Sequence, residues 1–446
     1  MPTRVLVVGG GGREHALAWK LAAEPGVNEV WVAPGSVGIA REPRVRIAAD
    51  VDPLDGPSVV ALTRARAIEL AVIGPEAPLA AGVGDALREA GVATFGPSAA
   101  ATRIESSKAF CREVAEAAGV RMARGAALDR PEDALAFARE LDVTGAGVVV
   151  KADGLAAGKG VTVCASLAEA EAAIMALGLA ARGAGDGRSD PIVVEERLDG
   201  REASVIAITD GRDVLALPAV RDHKRLGDGD AGPNTGGMGG YSPLPDLSDD
   251  ATEAILETVH RPLLAELGRR GTPFRGALFA GLMLTTSGPV LLECNARFGD
   301  PETQVALPRL GVALGPLLLA AARGELLPAA RSLGLRGSLL PATRGASVGI
   351  VLAAAGYPAR ARGGELIRGI DAAEDQGALV FHAGTTATAD GGWATRPGRV
   401  LTVVGRGQDL GAARLAAEAA ATAITWDGLQ RRHDIAAALP VPEAVG

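Results

Sequence analysis

Val149-Val150-Lys151-Ala152-Asp153-Gly154-Leu155-Ala156-Ala157-Gly158-Lys159-Gly160-Val161 puts a lysine on an apolar strand, crosses a glycine-rich loop and re-enters a strand. A Walker A loop would follow its lysine with Ser or Thr and open a helix; Lys159 is followed by Gly160 and a β-like run. The stretch therefore reads as a β–loop–β cover for nucleotide phosphates. Glycine lets backbone approach a ligand closely, and Lys151 supplies a compact positive charge. A plain surface hairpin is the alternative.

Downstream, Val193-Val194-Glu195-Glu196-Arg197-Leu198-Asp199-Gly200-Arg201-Glu202 ends a strand in acids. Such an end can offer backbone groups to an adenine edge and a carboxylate to ribose hydroxyls; solvated surface acids would look the same. The stronger signal is Val290-Leu291-Leu292-Glu293-Cys294-Asn295-Ala296-Arg297-Phe298-Gly299-Asp300-Pro301-Glu302. Glu293 and Asn295 lie two apart on a strand and so share a face. Both present hard oxygens, suited to Mg²⁺ bridging ATP phosphates. Arg297, just beyond, can clamp a carboxylate or phosphate. Between these segments, Asp222-His223-Lys224-Arg225 and Asn234-Thr235-Gly236-Gly237-Met238-Gly239-Gly240 read as a charged cluster and a mobile substrate gate.

Toward the N-terminus, strand-like runs at 4–8, 30–33, 70–73 and 92–95 alternate with helical ones and predict a parallel sheet. Their Gly/Pro breaks fall at the carboxyl ends of strands, where such sheets bind ligands. The loop Gly9-Gly10-Gly11-Gly12-Arg13-Glu14 begins like a dinucleotide fingerprint. Glu14 stands where the third glycine belongs, and the second strand ends in Ala33-Pro34-Gly35-Ser36 rather than an acid. A phosphate-binding turn or a purely structural one remains. Further on, helices are predicted at 108–118, 305–323 and 410–423. A hairpin is predicted over 277–294, and strands at 348–353 and 401–404.

Composition bounds the rest. A length of 446 residues implies two to four domains. Aromatics at 3% argue against stacking platforms for single-stranded nucleic acid, and a net charge of −8 against a general nucleic-acid binder. Cys111, Cys164 and Cys294 form no CxxC pair. No signal-peptide pattern or 18-residue apolar run is visible, so a reduced cytosol is expected and a membrane is not. Lysine occurs five times, at 20, 108, 151, 159 and 224, against forty arginines. Four of the five fall in the segments above or in the helix opening at 108, where a compact ammonium has a use.

Taken together, these segments resemble the ATP-grasp ligases, most closely their glycinamide ribonucleotide synthetase family. The matching stretches are 11–16, 74–79, 107–110, 151–161, 222–225, 232–239 and 297–304. The resemblance implies a multidomain α/β ATP-grasp fold. It comprises an N-terminal Rossmann-like (pre-ATP-grasp) parallel-sheet domain at 1–103, an ATP-grasp domain at 104–328 with a lid at about 122–190, and a small C-terminal α+β domain at 329–446. It implies ATP-driven joining of glycine to 5-phosphoribosylamine through an acyl phosphate, in purine biosynthesis. Lys108, Lys151, Gly158, Lys159 and Gly160 would then meet ATP phosphates, and Glu195, Glu196, Leu198 and Glu202 adenosine. Glu293 and Asn295 would hold Mg²⁺ or Mn²⁺. Arg297, Asp222 and Lys224 would act on glycine or the acyl phosphate. Gly11, Gly12, Arg13, Glu14, Gly35, Glu76, Gly236 and Gly237 would bind substrate. Gly10 and Ser36 depart from a pattern in which Asn is common, which bears on side-chain contacts to the sugar phosphate. A monomer acting on small molecules is the starting expectation. A related ATP-grasp enzyme such as biotin carboxylase, a non-catalytic nucleotide module and a nicotinamide dehydrogenase are the rivals.

Overall fold

The computed structural model describes residues 1–155, 160–183 and 190–437. Near the N-terminus, five strands pair in the order Val45–Ile47, Glu29–Pro34, Arg4–Gly9, Leu70–Ile73, Ala93–Phe95, all parallel. The central strand is apolar and buried after Arg4, as a strand covered on both faces must be. Chain order reverses between Arg4–Gly9 and Leu70–Ile73, which opens a crevice beyond Gly9 and Gly74.

Two antiparallel sheets follow. One orders Gly125–Leu128, Ile192–Glu196, Val148–Ala152, Val161–Cys164; the other orders Val214–Ala216, Arg201–Thr209, Gly276–Thr285, Gly288–Asn295. Lys151 stands on the first and Glu293 on the second. Register slips by one residue between Gly281 and Leu282, leaving Leu292 as a bulge just before Glu293.

The C-terminal sheet holds a result that linear order hides. Its strands run Arg221–Asp222, Gly239–Ser242, Ala346–Ala353, Arg399–Gly407, Leu379–His382. The segment from 221 to 242, placed by sequence inside the ATP-binding region, pairs with strand Ala346–Ala353, Gly239 opposite Ile350. The expected helix over 305–323 is broken. Helix Glu302–Ala306 passes into a tight turn Leu307–Arg309 and restarts as Gly315–Arg323. Pro308 lacks the N–H that a continuing helix needs, and Pro316 suits only a first turn.

The C-terminal sheet is pinned to the N-terminal unit by two histidines. His382 donates its backbone N–H to His15 Nδ1 at 2.7 Å, and His15 Nε2 lies 3.1 Å from Glu42 Oε1. A Cβ on Gly38 would fall 2.3 Å from the His382 ring. Gly38→Ala is therefore expected to destabilise the protein by about 2 kcal/mol through overpacking, seen as a lower urea midpoint. An unchanged midpoint would mean the contact yields freely.

His260 is fully buried, with Nε2 3.2 Å from the Val205 carbonyl; burial lowers its pKa to about 4. Unfolded histidine titrates near 6.5. Between these values the unfolded chain binds the extra proton, so stability must fall as pH drops from about 6.5 toward 4. Down to pH 5 this is roughly 2 kcal/mol. Denaturation midpoints at pH 7 and 5 measure it, and His260→Gln should remove that part of the slope.

Candidate active site

At the crevice, Glu14 explains why the first loop is no dinucleotide fingerprint. Its carboxylate accepts from Gly11 N at 2.7 Å, capping helix Gly12–Ala22, and from Arg13 Nε at 2.5 Å. A Cβ on Gly74 would fall 2.1 Å from the same carboxylate. The space beside the loop is thus filled by Glu14. Gly35, at φ +67°, donates to the Gly9 carbonyl at 3.1 Å, so the two strand ends close on each other. Arg13 reaches across to the Phe298 carbonyl at 3.1 Å.

Arg297 ties this crevice to the end of strand Gly288–Asn295, where Glu293 and Asn295 lie. Its guanidinium lies 3.3 Å from Glu76 and 3.0 Å from Glu105, and donates to Asn295 Oδ1 at 3.4 Å. Burial works against a charge on Glu76, but Arg297 and Arg13 outweigh it and hold the carboxyl below its usual range. Glu105 is driven the other way, upward, by burial above all, although Arg297 opposes it.

On strand Gly288–Asn295, Cys294 is buried while Glu293 and Asn295 on either side are partly open, so the shared face is real. Glu293 lies 3.5 Å from Lys224. Lys224 foremost, with Lys151, Arg297 and Lys108, lowers its pKa to about 2, against the opposing effect of burial. Two oxygen donors on one face, ringed by lysines that phosphates would neutralise, fit a magnesium or manganese ion whose remaining ligands come from a polyphosphate. Among the described residues no cluster of three acidic, His or Cys groups could hold a metal without such help.

Lys108 opens helix Lys108–Ala117 and donates to the Gly154 carbonyl at 2.9 Å. Asp153, from the start of the same glycine loop, accepts from Ser107 Oγ and Ala109 N, which ties Asp153 to the helix end. Lys151 is buried, 2.6 Å from Glu195, and donates to the Leu292 carbonyl at the bulge at 2.9 Å. Glu195 also accepts from Arg112 at 2.7 Å. Its carboxylate is thus spent between two cations, and its backbone lies in the ladder between Gly125 and Val149, so what this strand end can offer a base lies beyond it, toward Leu198. Glu196 accepts from Arg124 N at 2.8 Å, Glu202 pairs with Lys224 at 2.9 Å, and Leu198 is partly buried just past the strand end. Gly160 accepts from Ala152 N at 2.7 Å. Gly158 and Lys159 lie outside the described residues.

The Gly236-Gly237 segment, expected to be a gate, is held by partners the sequence did not suggest. Arg399 donates to the Gly236 carbonyl and, at 2.6 Å, to the Asp300 carbonyl, and pairs with Asp300 at 3.3 Å; Tyr357 Oη accepts from Gly236 N at 3.0 Å. Gly237 meets Pro301, where a Cβ would come within 2.5 Å. Asp222 is buried; burial raises its pKa. Glu105, Arg112, Ser204, Tyr357 and Arg399 were all missed by sequence reasoning. No local pattern marks them, since each acts on a residue far away in the chain.

A lysine-bearing strand that runs into a glycine-rich sequence, set against a strand with an acid and an amide on one face and an arginine just beyond its end, is the arrangement of an ATP-grasp ligase. Three sequence models match the chain in succession: phosphoribosylglycinamide synthetase N domain over 3–105, ATP-grasp (A) domain over 106–303 and C domain over 347–438. The chain belongs to the phosphoribosylglycinamide synthetase family. It is 45% identical to the phosphoribosylamine–glycine ligase of Vibrio parahaemolyticus over 434 residues, covering 97% of each chain. To that of Streptomyces coelicolor it is 47% identical over 437 residues, 97% of this chain and 99% of the relative. The crystal structure of phosphoribosylamine–glycine ligase from Thermotoga maritima superposes at a TM-score of 0.79 with 32% identity, over 97% of this chain and all of that one. A biotin carboxylase from Campylobacter jejuni shares the fold at 0.70 and 17% identity, over 97% of this chain and 93% of that one.

Proposed function

We propose that this chain ligates glycine to 5-phosphoribosylamine, turning ATP over to ADP and phosphate and yielding glycinamide ribonucleotide for purine synthesis. Family membership through three successive domains carries the reading. A carboxylate does not acylate an amine unaided. A glycine oxygen first attacks the γ-phosphorus and ADP departs; the amine then attacks the carbonyl of the glycyl phosphate, phosphate leaves and the nitrogen sheds a proton.

In this reading Lys108, Lys151 and the 154–160 loop, with Gly158, Lys159 and Gly160, hold the phosphates. The strand end at Glu195, Glu196 and Leu198, with Glu202, holds adenosine. Glu293 and Asn295 hold Mg²⁺ or Mn²⁺, which when bound offsets charge on the transferred phosphoryl group. Arg297, Lys224 and Asp222 orient glycine and its phosphate. Gly11, Gly12, Arg13, Glu14, Gly35, Glu76, Gly236 and Gly237 receive the amino sugar phosphate. Catalysis is positioning and charge stabilisation, with no side-chain nucleophile. The working units are taken as 1–103, 104–328 with a lid at about 122–190, and 329–446, in a monomer of the reduced cytosol. No helix among the described residues is long and apolar enough to cross a membrane.

The purified protein should release ADP only when glycine and phosphoribosylamine are both supplied. Equal release without glycine would sink the reading.

A further inference from the structure

A hairpin leaves the candidate site directly after Lys224. Its strands, Arg225–Gly227 and Ala231–Asn234, pair antiparallel with Arg225 opposite Asn234. Lys224 at its start pairs with Glu202 and Glu293. Asn234 at its end donates from Nδ2 to the Val161 carbonyl at 3.1 Å, where the chain re-enters a strand after the glycine-rich loop. The base of the hairpin therefore touches both the residue that carries the metal-site charge and the exit of the loop.

Its turn is gripped by three consecutive residues from beyond helix Leu410–Ala423. Arg432 Nη1 donates to Asp230 Oδ1 at 2.6 Å and to the Arg225 carbonyl at 3.2 Å, while Nε and Nη2 fork onto Asp434 at 2.7 and 2.6 Å. Asp434 also accepts from Gly229 N at 2.8 Å. Asp228 accepts from His433 N at 2.7 Å, and its second oxygen lies 3.1 Å from His433 Nδ1. Gly229 and Asp230 both stand in the left-handed region, at φ +66° and +54°. Such a conformation at a residue other than glycine costs energy and persists where the surroundings impose it, often at working sites.

Stability alone does not call for this grip. Arg432 is 1% exposed, but the side chains of Asp230 and Asp434 are 66% and 30% exposed, so water reaches both carboxylates without it. An apolar side chain of similar volume would fill the buried space as well. What it would lack is the planar fork of donors that sets direction.

We propose that Arg432 is a positioning residue for the ligation, a reading that rests on the ligase function above. Arg432 acts through Arg225 and Asp230 to fix the hairpin. The hairpin in turn sets Lys224 against Glu293 and, through Asn234, docks the exit of the glycine-rich loop. Arg432 itself meets no substrate.

Arg432→Met is expected to lower kcat for glycine-dependent ADP formation roughly tenfold, measured well below its unfolding temperature, as small misplacements remote from the chemistry do. Asn234→Ala breaks the dock on the loop and should cost about the same. Because either change frees the same hairpin, the double variant should lose at most about twofold more, where independent sites would multiply to roughly a hundredfold. Bracing of the fold alone would leave kcat of the folded variant unaltered. Unchanged kcat in Arg432→Met, or losses that multiply, would overturn the proposal. Should Arg432→Met fail to fold, Asp230→Gly takes its place in the same cycle, since glycine adopts the left-handed backbone freely and only the carboxylate held by Arg432 is lost. ADP release by the unaltered protein without glycine defeats the ligase reading itself; glycine-dependent release with indifferent variants defeats only the role of Arg432.

Discussion

Glu293→Gln is expected to cut glycine-dependent ADP formation on the order of a thousandfold, about 4 kcal/mol of charge stabilisation at the phosphoryl group. Gln keeps the shape and loses the charge that a hard cation needs. Because its neighbours, Lys224 foremost, depress the Glu293 pKa to about 2, the carboxylate is ionised at any working pH, so its charge, not its protonation state, is what the substitution removes. The side chain is about one-third open, 35% exposed, so the fold should survive with thermal unfolding unchanged. The half-saturating Mg²⁺ concentration should climb steeply in the variant. Unaltered Mg²⁺ dependence would take Glu293 out of the metal site.

Arg297→Met should lose activity to a similar degree and, unlike Glu293→Gln, lose stability too. Arg297 is the cation for Glu105, whose side chain is 6% exposed and whose other partner is the Ala296 N–H at 2.7 Å. Removing one member of a buried pair costs about 3 kcal/mol, because the remaining charge is left uncompensated. The double variant Arg297→Met/Glu105→Gln separates the two losses. It should regain most of the stability and none of the activity. Activity returning with stability would show that Arg297 only braces the fold. Stability staying low would place the defect at Glu76 or the Phe298 carbonyl instead.

Much of this site could be read along the chain because the signals are local. Strand alternation alone places Glu293 and Asn295 on one face. The missing third glycine at Glu14 alone argues against a dinucleotide loop, and the structure supplies the reason, a carboxylate spent on capping its own helix. Pro308 and Pro316 were equally visible. The apolar run around them suggested one helix, but a missing N–H outweighs apolar periodicity.

What only tertiary structure decided is who neutralises whom. Glu195 looked free to meet a nucleotide; packing of strand Val148–Ala152 against strand Ile192–Glu196 and helix Lys108–Ala117 spends it on Lys151 and Arg112. Arg399 reaches Gly236 from 163 residues away, and strand Gly239–Ser242 joins a sheet built mostly from the C-terminal region. Glu302 sat in plain view in the 290–302 stretch, yet nothing local showed that the hydroxyl of Ser204 would lie between it and Asp222. Backbone geometry and side-chain spacing are short-range properties written residue by residue. The partner of a buried charge is set by which elements pack together, and so by the whole chain at once.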